Sequence, residues 1–322
     1  MYQLFLSLNE HRVVFHLAQE NRQSQALLWF PQIKYRFSDQ ENICAFWVLS
    51  DNIETKLDKD FWFSRLAAQQ PAGGGVNRKV IMKIQLRHNF ENIASIDNLL
   101  EVYKEFIRGK RNKKDIQEFS LCLMNNIITL HQDLASGIYC HGGYQAFNIS
   151  DPKPRNIHKA NMRDRLLHHA IYRILYPFFD RTFTSDSYSC RINKGTHKAL
   201  NRFKYFAGKV SKNNTKTCYL LKCDIKKFFV NINHEILLAL LDSHIPDKQI
   251  MWLLNKVISS FHSTSPGVGL PLGNLTSQLF VNIYMNEFDQ YVKHKLKVKY
   301  YLRYADDFII LSDNKKELEN LI

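Results

Sequence analysis

Arg303-Tyr304-Ala305-Asp306-Asp307-Phe308-Ile309-Ile310-Leu311 is the stretch on which the reading of this chain turns. Two adjacent carboxylates, Asp306 and Asp307, separate the apolar, aromatic and β-branched runs Val298 to Tyr304 and Phe308 to Leu311. Such runs favour strands, and a tight acidic connection between them predicts a β-hairpin with its acids at the tip. A hairpin tip is a rigid, exposed place to present carboxylate oxygens to a hard cation such as Mg²⁺. Taken alone, a solvated Asp-Asp turn is the better reading of this box. The rest of the chain changes that.

Upstream, the apolar run Cys218 to Cys223 is of strand length, and Asp224 follows it directly. Ile225, Lys226, Lys227, Phe228 and Phe229 come next, and after Asn233 the leucine-rich stretch His234 to Leu241 reads as a helix. A strand-end Asp and a hairpin-tip Asp pair meet the minimal requirement of a two-metal site. There, two divalent ions roughly 4 Å apart stabilise the attacking and leaving oxygens of an in-line phosphoryl displacement. Such chemistry also needs cationic groups on the polyphosphate.

The formal net charge of the 322-residue chain is +14. Residues 1–80 carry a net of only +1, so the basic excess lies in the part that also holds the acid boxes. A basic body around a small acidic centre suits a polyanionic substrate whose phosphates meet Lys and Arg. A basic pI alone fits a solvated face as well. The six cysteines (Cys44, Cys122, Cys140, Cys190, Cys218, Cys223) form no Cys-x-x-Cys pair, which argues against a zinc ribbon and against a disulfide framework. Cys218 and Cys223 are expected in the core. Neither a signal peptide nor a membrane-spanning run is evident, so the default location is the cytoplasm and no membrane partner is expected.

Residues 1–80 form a segment of unknown role, with strand character at Leu28 to Phe30 and Cys44 to Leu49, ending at the breaker cluster Gln69 to Gly75. It reads as a small appended domain or as upstream sequence joined by an early start codon, with Met82 as the alternative start. Helices follow, at Ser95 to Phe106 and Asp115 to Leu134, around the basic stretch 108–114. Tyr139 to Phe147 and Asp151 to Ile157 read as a hairpin whose second arm carries Lys153 and Arg155 on one face. A Lys and an Arg so placed suit a triphosphate, and equally an ordinary basic strand. Asp164 to Tyr176 reads as a helix ended by Pro177, with His168 and His169 as packing or RNA-facing residues. Leu270 to Gln278 reads as a Gly273-centred loop before a helix from Leu279 to Tyr291, open to close approach of a nucleotide. An ordinary loop capping a core helix fits those residues as well.

In order along the chain, Lys153-x-Arg155, Asp224 with Phe228-Phe229, the Leu-Gly-x-x-x-Ser loop at 272–277 and Tyr304-Ala305-Asp306-Asp307 resemble the motifs of reverse transcriptases. The resemblance covers roughly residues 93–322. Within that family the chain looks most like the bacterial enzymes of diversity-generating retroelements. Group II intron enzymes carry Gln-Gly-x-x-x-Ser-Pro in the loop, whereas here Leu272 stands at the Gln position and Gln278 at the Pro position. The family's diversity-generating members copy a template RNA with frequent errors opposite adenine. Leu272 in place of a polar side chain removes a contact that would help discriminate right from wrong pairs.

The resemblance implies an α/β (α+β) right-hand polymerase: fingers and a partial palm over residues 81–322, an antiparallel palm sheet backed by helices, thumb absent. It implies two Mg²⁺ ions (Mn²⁺ as substitute) on Asp224 and Asp306, with the Ile225 carbonyl as an extra ligand and Asp307 supporting. It gives Phe229 the role of an aromatic gate against a 2′-hydroxyl, Phe228 a core role, and Lys153 and Arg155 the triphosphate, with Leu272, Gly273 and Gln278 at the nucleotide. Template RNA, a DNA or RNA primer, dNTPs and a small accessory protein are the partners implied. The chain ends at Ile322, soon after the acidic hairpin, so a fragment or prematurely ended product is expected. A group II intron or retron-type enzyme, or a non-catalytic RNA-binding remnant, are the alternatives.

Overall fold

The computed structural model describes residues 84–150 and 154–321, together with the backbone of four upstream strands. These are β1 (Gln3–Asn9), β2 (Arg12–Gln19), β3 (Arg22–Gln25) and β4 (Phe46–Asn52). The strand expected at Leu28 to Phe30, the breaker cluster at 69–75, Met82 and Lys153 lie outside the described residues. The chain divides into two compact units, one of residues 1–56, 184–226 and 287–322 and one of residues 57–183 and 227–286.

In the second of these units, helices come first: α1 (Phe90–Ala94), α2 (Ile96–Phe106), α3 (Lys114–Leu121) and α4 (Leu123–Ala135). α2 buries Leu99, Val102, Tyr103 and Phe106, the three-and-four spacing of one helix face, and Ser95 caps its N-terminus. The single helix expected over 115–134 is two, because Cys122 leaves helical backbone (φ −119°, ψ 38°). The Asn126 amide then reaches back to donate to the Phe119 carbonyl at 2.9 Å, satisfying an acceptor that the break frees. The expected hairpin is present but shifted: β5 (Tyr144–Ile149) pairs with β6 (Arg155–Ala160), and residues 139–143 are not strand. α5 (Met162–Phe179) does not stop at Pro177. Phe178 and Phe179 are buried, and burying them carries the last turn past the proline, whose missing N–H forfeits one bond only.

The first unit holds the acid boxes. α6 (Thr196–Val210) precedes β7 (Tyr219–Asp224), and β8 (Tyr301–Tyr304) and β9 (Asp307–Ser312) form the hairpin expected from the sequence. β9 lies between β7 and β8, antiparallel to both, in a register that sets Asp224 opposite Asp307 and Tyr304 opposite Asp307. Alternation along these strands sorts their side chains onto two faces. Leu220, Leu302 and Leu311 pack against Ala199, Phe206 and Val210 of α6. Leu221, Cys223, Tyr301, Phe308 and Ile310 pack on the other face with Val292 and Leu318, the latter from α11 (Lys315–Glu319). A sheet covered on both faces accounts for the unbroken apolar runs flanking the acids. Cys218 and Cys223 are buried, as expected of core cysteines. β4 runs parallel along the far edge of β7, giving a sheet of order β3-β2-β1-β4-β7-β9-β8. The palm strands β7, β9 and β8 are antiparallel and backed by helices, as the sequence led one to expect.

Between β7 and β8 the chain runs through α7 (Phe228–Asn231), α8 (His234–Asp242), α9 (Lys248–Ile258) and α10 (Leu275–Gln290), then a π-helical turn, Tyr291–Lys295. Asn233 caps α8 by accepting from the Ile236 N–H at 3.0 Å. α10 starts earlier than expected, so Thr276, Ser277 and Gln278 belong to its first turn rather than to the loop.

Candidate active site

Asp224 is the last residue of β7 and is exposed, and its cross-strand partner Asp307 opens β9. Directly opposed residues of an antiparallel pair hold their Cβ atoms about 5 Å apart on one face. The connection between β8 and β9 is two residues long, Ala305-Asp306. Of these two only Ala305 has positive φ, at 58°, the pattern of a type II′ hairpin turn. Asp306 is therefore fixed at a tip, one residue from Asp307. Lys222, two residues before Asp224 and on the same face, sets its Nζ 3.5 Å from Asp307 Oδ1.

Three carboxylates at the end of one hairpin and its neighbouring strand are the hard oxygen donors that Mg²⁺ prefers, so their chemistry fits such an ion. Among the described residues, no three carboxylate, imidazole or thiol side chains converge closely enough to hold a metal as they stand. Ile225 follows Asp224 and is half-buried, packed at the edge of the Tyr301–Phe308 cluster.

The opposite face of the same hairpin carries a group that the motif reading missed. Arg303 is fully buried, on the face of Tyr301 and Phe308. Its Nε and Nη2 donate to Oδ1 and Oδ2 of Asp289, each at 2.7 Å, a two-point charge pair. Nη2 also donates to Ser187 Oγ at 3.0 Å, and Nη1 to the Ala305 carbonyl at 2.8 Å. Tyr301 donates its hydroxyl to Asp289 Oδ1 at 2.5 Å. Burial opposes the guanidinium charge, but Asp289 outweighs it and lifts Arg303 above the ordinary arginine value. The backbone of Arg303 is held too: its N–H donates to the Asp186 carbonyl and its own carbonyl accepts from Tyr188 N–H. The signal in the sequence was an arginine two residues from Tyr301 in an apolar strand, hence facing inward.

The other unit gathers several of the remaining candidates around β6. Arg155 opens β6 and is exposed. The loop before α10 lies along this strand: His158 N–H donates to the Leu272 carbonyl, and the Asn274 amide donates to the His158 carbonyl, each at 2.9 Å. Gly273 has φ +105°, and a Cβ there would come within 2.7 Å of Ile157 Cγ2. The absence of a side chain at Gly273 thus lets the loop approach strand β6 closely. Leu272 is half-buried and Gln278 exposed. Phe229 is half-buried, and its carbonyl accepts from Leu270 N–H at 2.8 Å, which ties it to the same loop. Phe228 is buried against Tyr284, a core role as expected.

His168 is a buried packing residue, its Nε2 3.1 Å from His141 Nε2. His141 lies with its Nδ1 3.5 Å from the fully buried Asp164.

The family model described as "Reverse transcriptase (RNA-dependent DNA polymerase)" matches residues 150–322, more than half of the chain and all of the acid boxes. The chain belongs to the reverse transcriptase family. Protein YkfC of Escherichia coli K12 is 27% identical over 151 residues, which are 45% of this chain and 39% of that protein. The group II intron-encoded protein LtrA of Lactococcus lactis subsp. cremoris is 28% identical over 155 residues, 46% of this chain and 24% of LtrA. An uncharacterised 91 kDa protein in the cob intron of Schizosaccharomyces pombe is 28% identical over 159 residues, 48% of this chain and 18% of that protein. The chain therefore spans well under half the length of these relatives, two of which are named for introns. Among solved structures, a chain of a partial Cas6-RT-Cas1–Cas2 complex is similar with a TM-score of 0.45 and 20% identity, over 70% of this chain and 38% of that one. Reverse transcriptase domains generally use divalent cations. No helix among the described residues is long and apolar enough to cross a membrane.

Proposed function

We propose that this chain is the fingers and partial palm, residues 81–322, of an RNA-directed DNA polymerase that adds dNTPs to a primer 3′-hydroxyl on an RNA template. The observation that carries the reading is the opposition of Asp224 and Asp307 across two strands, with Asp306 fixed at the adjoining turn, inside a reverse transcriptase domain. Asp224 and Asp306, with the Ile225 carbonyl, would hold two Mg²⁺ ions, which supply Lewis-acid stabilisation of the attacking and leaving oxygens. Asp307, with Lys222 at its Oδ1, acts as the supporting carboxylate. Lys153 and Arg155 grip the triphosphate, Arg155 by forking two oxygens. Phe229 acts as the gate beneath the sugar, with Leu272, Gly273 and Gln278 at the incoming nucleotide. The cytoplasm, where templates and dNTPs are at hand, is the location that suits this reading.

Primer extension on an RNA template with Mg²⁺, comparing the chain with its Asp306→Asn form, tests this. Asparagine keeps the shape and removes the charge that holds a metal. DNA product from the first and less than about a hundredth of it from the second, beyond the roughly 10–100-fold loss typical of a partner one shell further out, would support the assignment. RNA binding without product from either form would replace it with a non-catalytic RNA-binding role.

A second reading concerns the subgroup. Leu272 and Gln278 favour an error-prone polymerase of a diversity-generating retroelement, working with a small accessory protein, over the intron enzymes named among the relatives. An aliphatic Leu272 offers no hydrogen bond to a base pair, and loss of polar contacts lowers discrimination. Sequencing the extension products decides between the two: errors concentrated opposite adenine sustain the retroelement reading, and uniform high fidelity points to an intron or retron-type enzyme.

A further inference from the structure

We propose that Arg303, paired to Asp289, is a positioning residue: it clamps the Ala305 carbonyl and so sets where the Asp306 carboxylate points. The inference rests on the polymerase reading for its function, but its geometry stands within one unit of the fold. The Ala305 carbonyl belongs to the peptide bond that continues into Asp306. Holding that carbonyl fixes the peptide plane from which the Asp306 side chain departs.

The turn needs such a hold. Ala305 sits at φ +58°, a region that a residue with a Cβ seldom adopts unless its surroundings over-determine it. The surroundings here are unusual. A fully buried arginine reaches the carbonyl at 2.8 Å, and a fully buried Asp289 holds two nitrogens, Nε and Nη2, along one edge of the same guanidinium. An ion pair serving only to dock the end of α10 on the sheet would be complete with Asp289 and Tyr301. The third nitrogen, Nη1, turned to the strained turn, is what the packing role leaves unaccounted for. The planar fork matters, because a lysine carries one nitrogen and cannot grip Asp289 at two points while also reaching Ala305. The clamp works from behind the sheet: Arg303 lies on the face of Phe308, whereas Asp224 and Asp307 lie on the other.

Two variants separate positioning from packing. Arg303→Met with Asp289→Leu replaces the pair by apolar side chains of similar volume, a change that buried ion pairs often tolerate without loss of fold. Arg303→Lys keeps the charge and loses the fork. For each, thermal unfolding, hydrogen exchange of the peptide spanning 301–308, Mn²⁺ affinity by electron paramagnetic resonance, and primer extension against Mg²⁺ concentration are compared with the unaltered chain. Expected are near-normal unfolding, faster exchange at the turn, weaker Mn²⁺ binding and a higher Mg²⁺ requirement. kcat would fall by one to two orders of magnitude, roughly the cost of a small misplacement of a reacting group, with KM for dNTP little changed. A folded variant with unchanged exchange at the turn and unchanged metal affinity overturns the clamp. If the double variant does not fold, Arg303→Lys decides by the same readouts. No extension by the unaltered chain would sink the polymerase reading, while exchange at the turn and Mn²⁺ affinity would still decide the clamp.

Discussion

Asp289 and Asp164 are both fully buried carboxylates, one in each unit, and the chain satisfies them in opposite ways. Asp289 meets a guanidinium at two points and a tyrosine hydroxyl, so its charge is matched by a full opposite charge. Asp164 accepts from neutral donors, the Tyr139 hydroxyl at 2.7 Å and the Gly142 N–H at 2.8 Å, with His141 Nδ1 3.5 Å away. The difference shows in what each network does next. The arginine fork has an edge left over and extends it to the turn that carries Asp306. The neutral network instead ties residues 139–142 to the start of α5 and ends in a pair of imidazoles. There His168 Nδ1 is buried with no hydrogen-bond partner among the described residues.

The comparison is broken most directly by neutralising each carboxylate in turn. Asp289→Asn leaves the Arg303 guanidinium buried and unpaired, which costs about 3–5 kcal/mol. Asp164→Asn keeps one acceptor for two donors and costs about 1–3 kcal/mol. Urea unfolding of both variants checks the order. Equal losses would mean that Arg303 draws its compensation from Ser187 and the backbone rather than from Asp289.

The imidazoles give the second effect. Burial, then the neighbouring His141 and His169, pulls His168 down to about 3, and burial, then Lys110 and Arg165, pulls His169 down to about 4. Both are therefore neutral in the folded chain at pH values where the unfolded chain has taken up a proton. Their contribution is fully present above the ordinary imidazole value of about 6.5 and is lost as pH falls from there toward the folded values. At pH 5 the loss from His168 is about 2 kcal/mol. Unfolding at pH 7 and pH 5 measures it, and His168→Leu should flatten the dependence. An unchanged slope in that variant would place the sensitivity elsewhere, with Asp164, His141 and Tyr144 as the titratable neighbours.

Local pattern carries the palm strands into view: the apolar runs around Asp306-Asp307 alternate onto two packed faces, and the run Cys218 to Cys223 falls on β7, which starts at Tyr219 and takes in Asp224. The leucine-rich run after Asn233 is legible as a helix, and it is α8. What escaped were partnerships across sequence. Arg303 needs Asp289 and Asp186–Tyr188, and Gly273 needs Ile157, contacts that no window along the chain contains. Apolar spacing alone predicts one continuous helix over 115–134, because it hardly changes across Cys122, where the backbone turns. Pro177 does not end its helix, because a proline near a helix end costs little when Phe178 and Phe179 are buried beyond it.

The smallest effect sharpens the comparison within the neutral network itself. Asn161 caps α5, its Oδ1 accepting from the Asp164 N–H at 2.8 Å, so the backbone and the side chain of Asp164 are held by different partners. Asn161→Ala removes the backbone partner alone and should cost about 1 kcal/mol, the usual worth of a helix cap. If the cap does nothing more, the loss adds to that of Asp164→Asn when the two are combined. If instead the cap aims the Asp164 carboxylate at Tyr139 and Gly142, the double variant loses less than the sum, since residues in one network couple. A double-mutant cycle by urea unfolding distinguishes these. Coupling near zero would make Asp164 a carboxylate held by its side-chain partners alone. Coupling of about half a kcal/mol or more would make the cap to Asp164 what Arg303 is to Asp306, a hold on the backbone that decides where a carboxylate points.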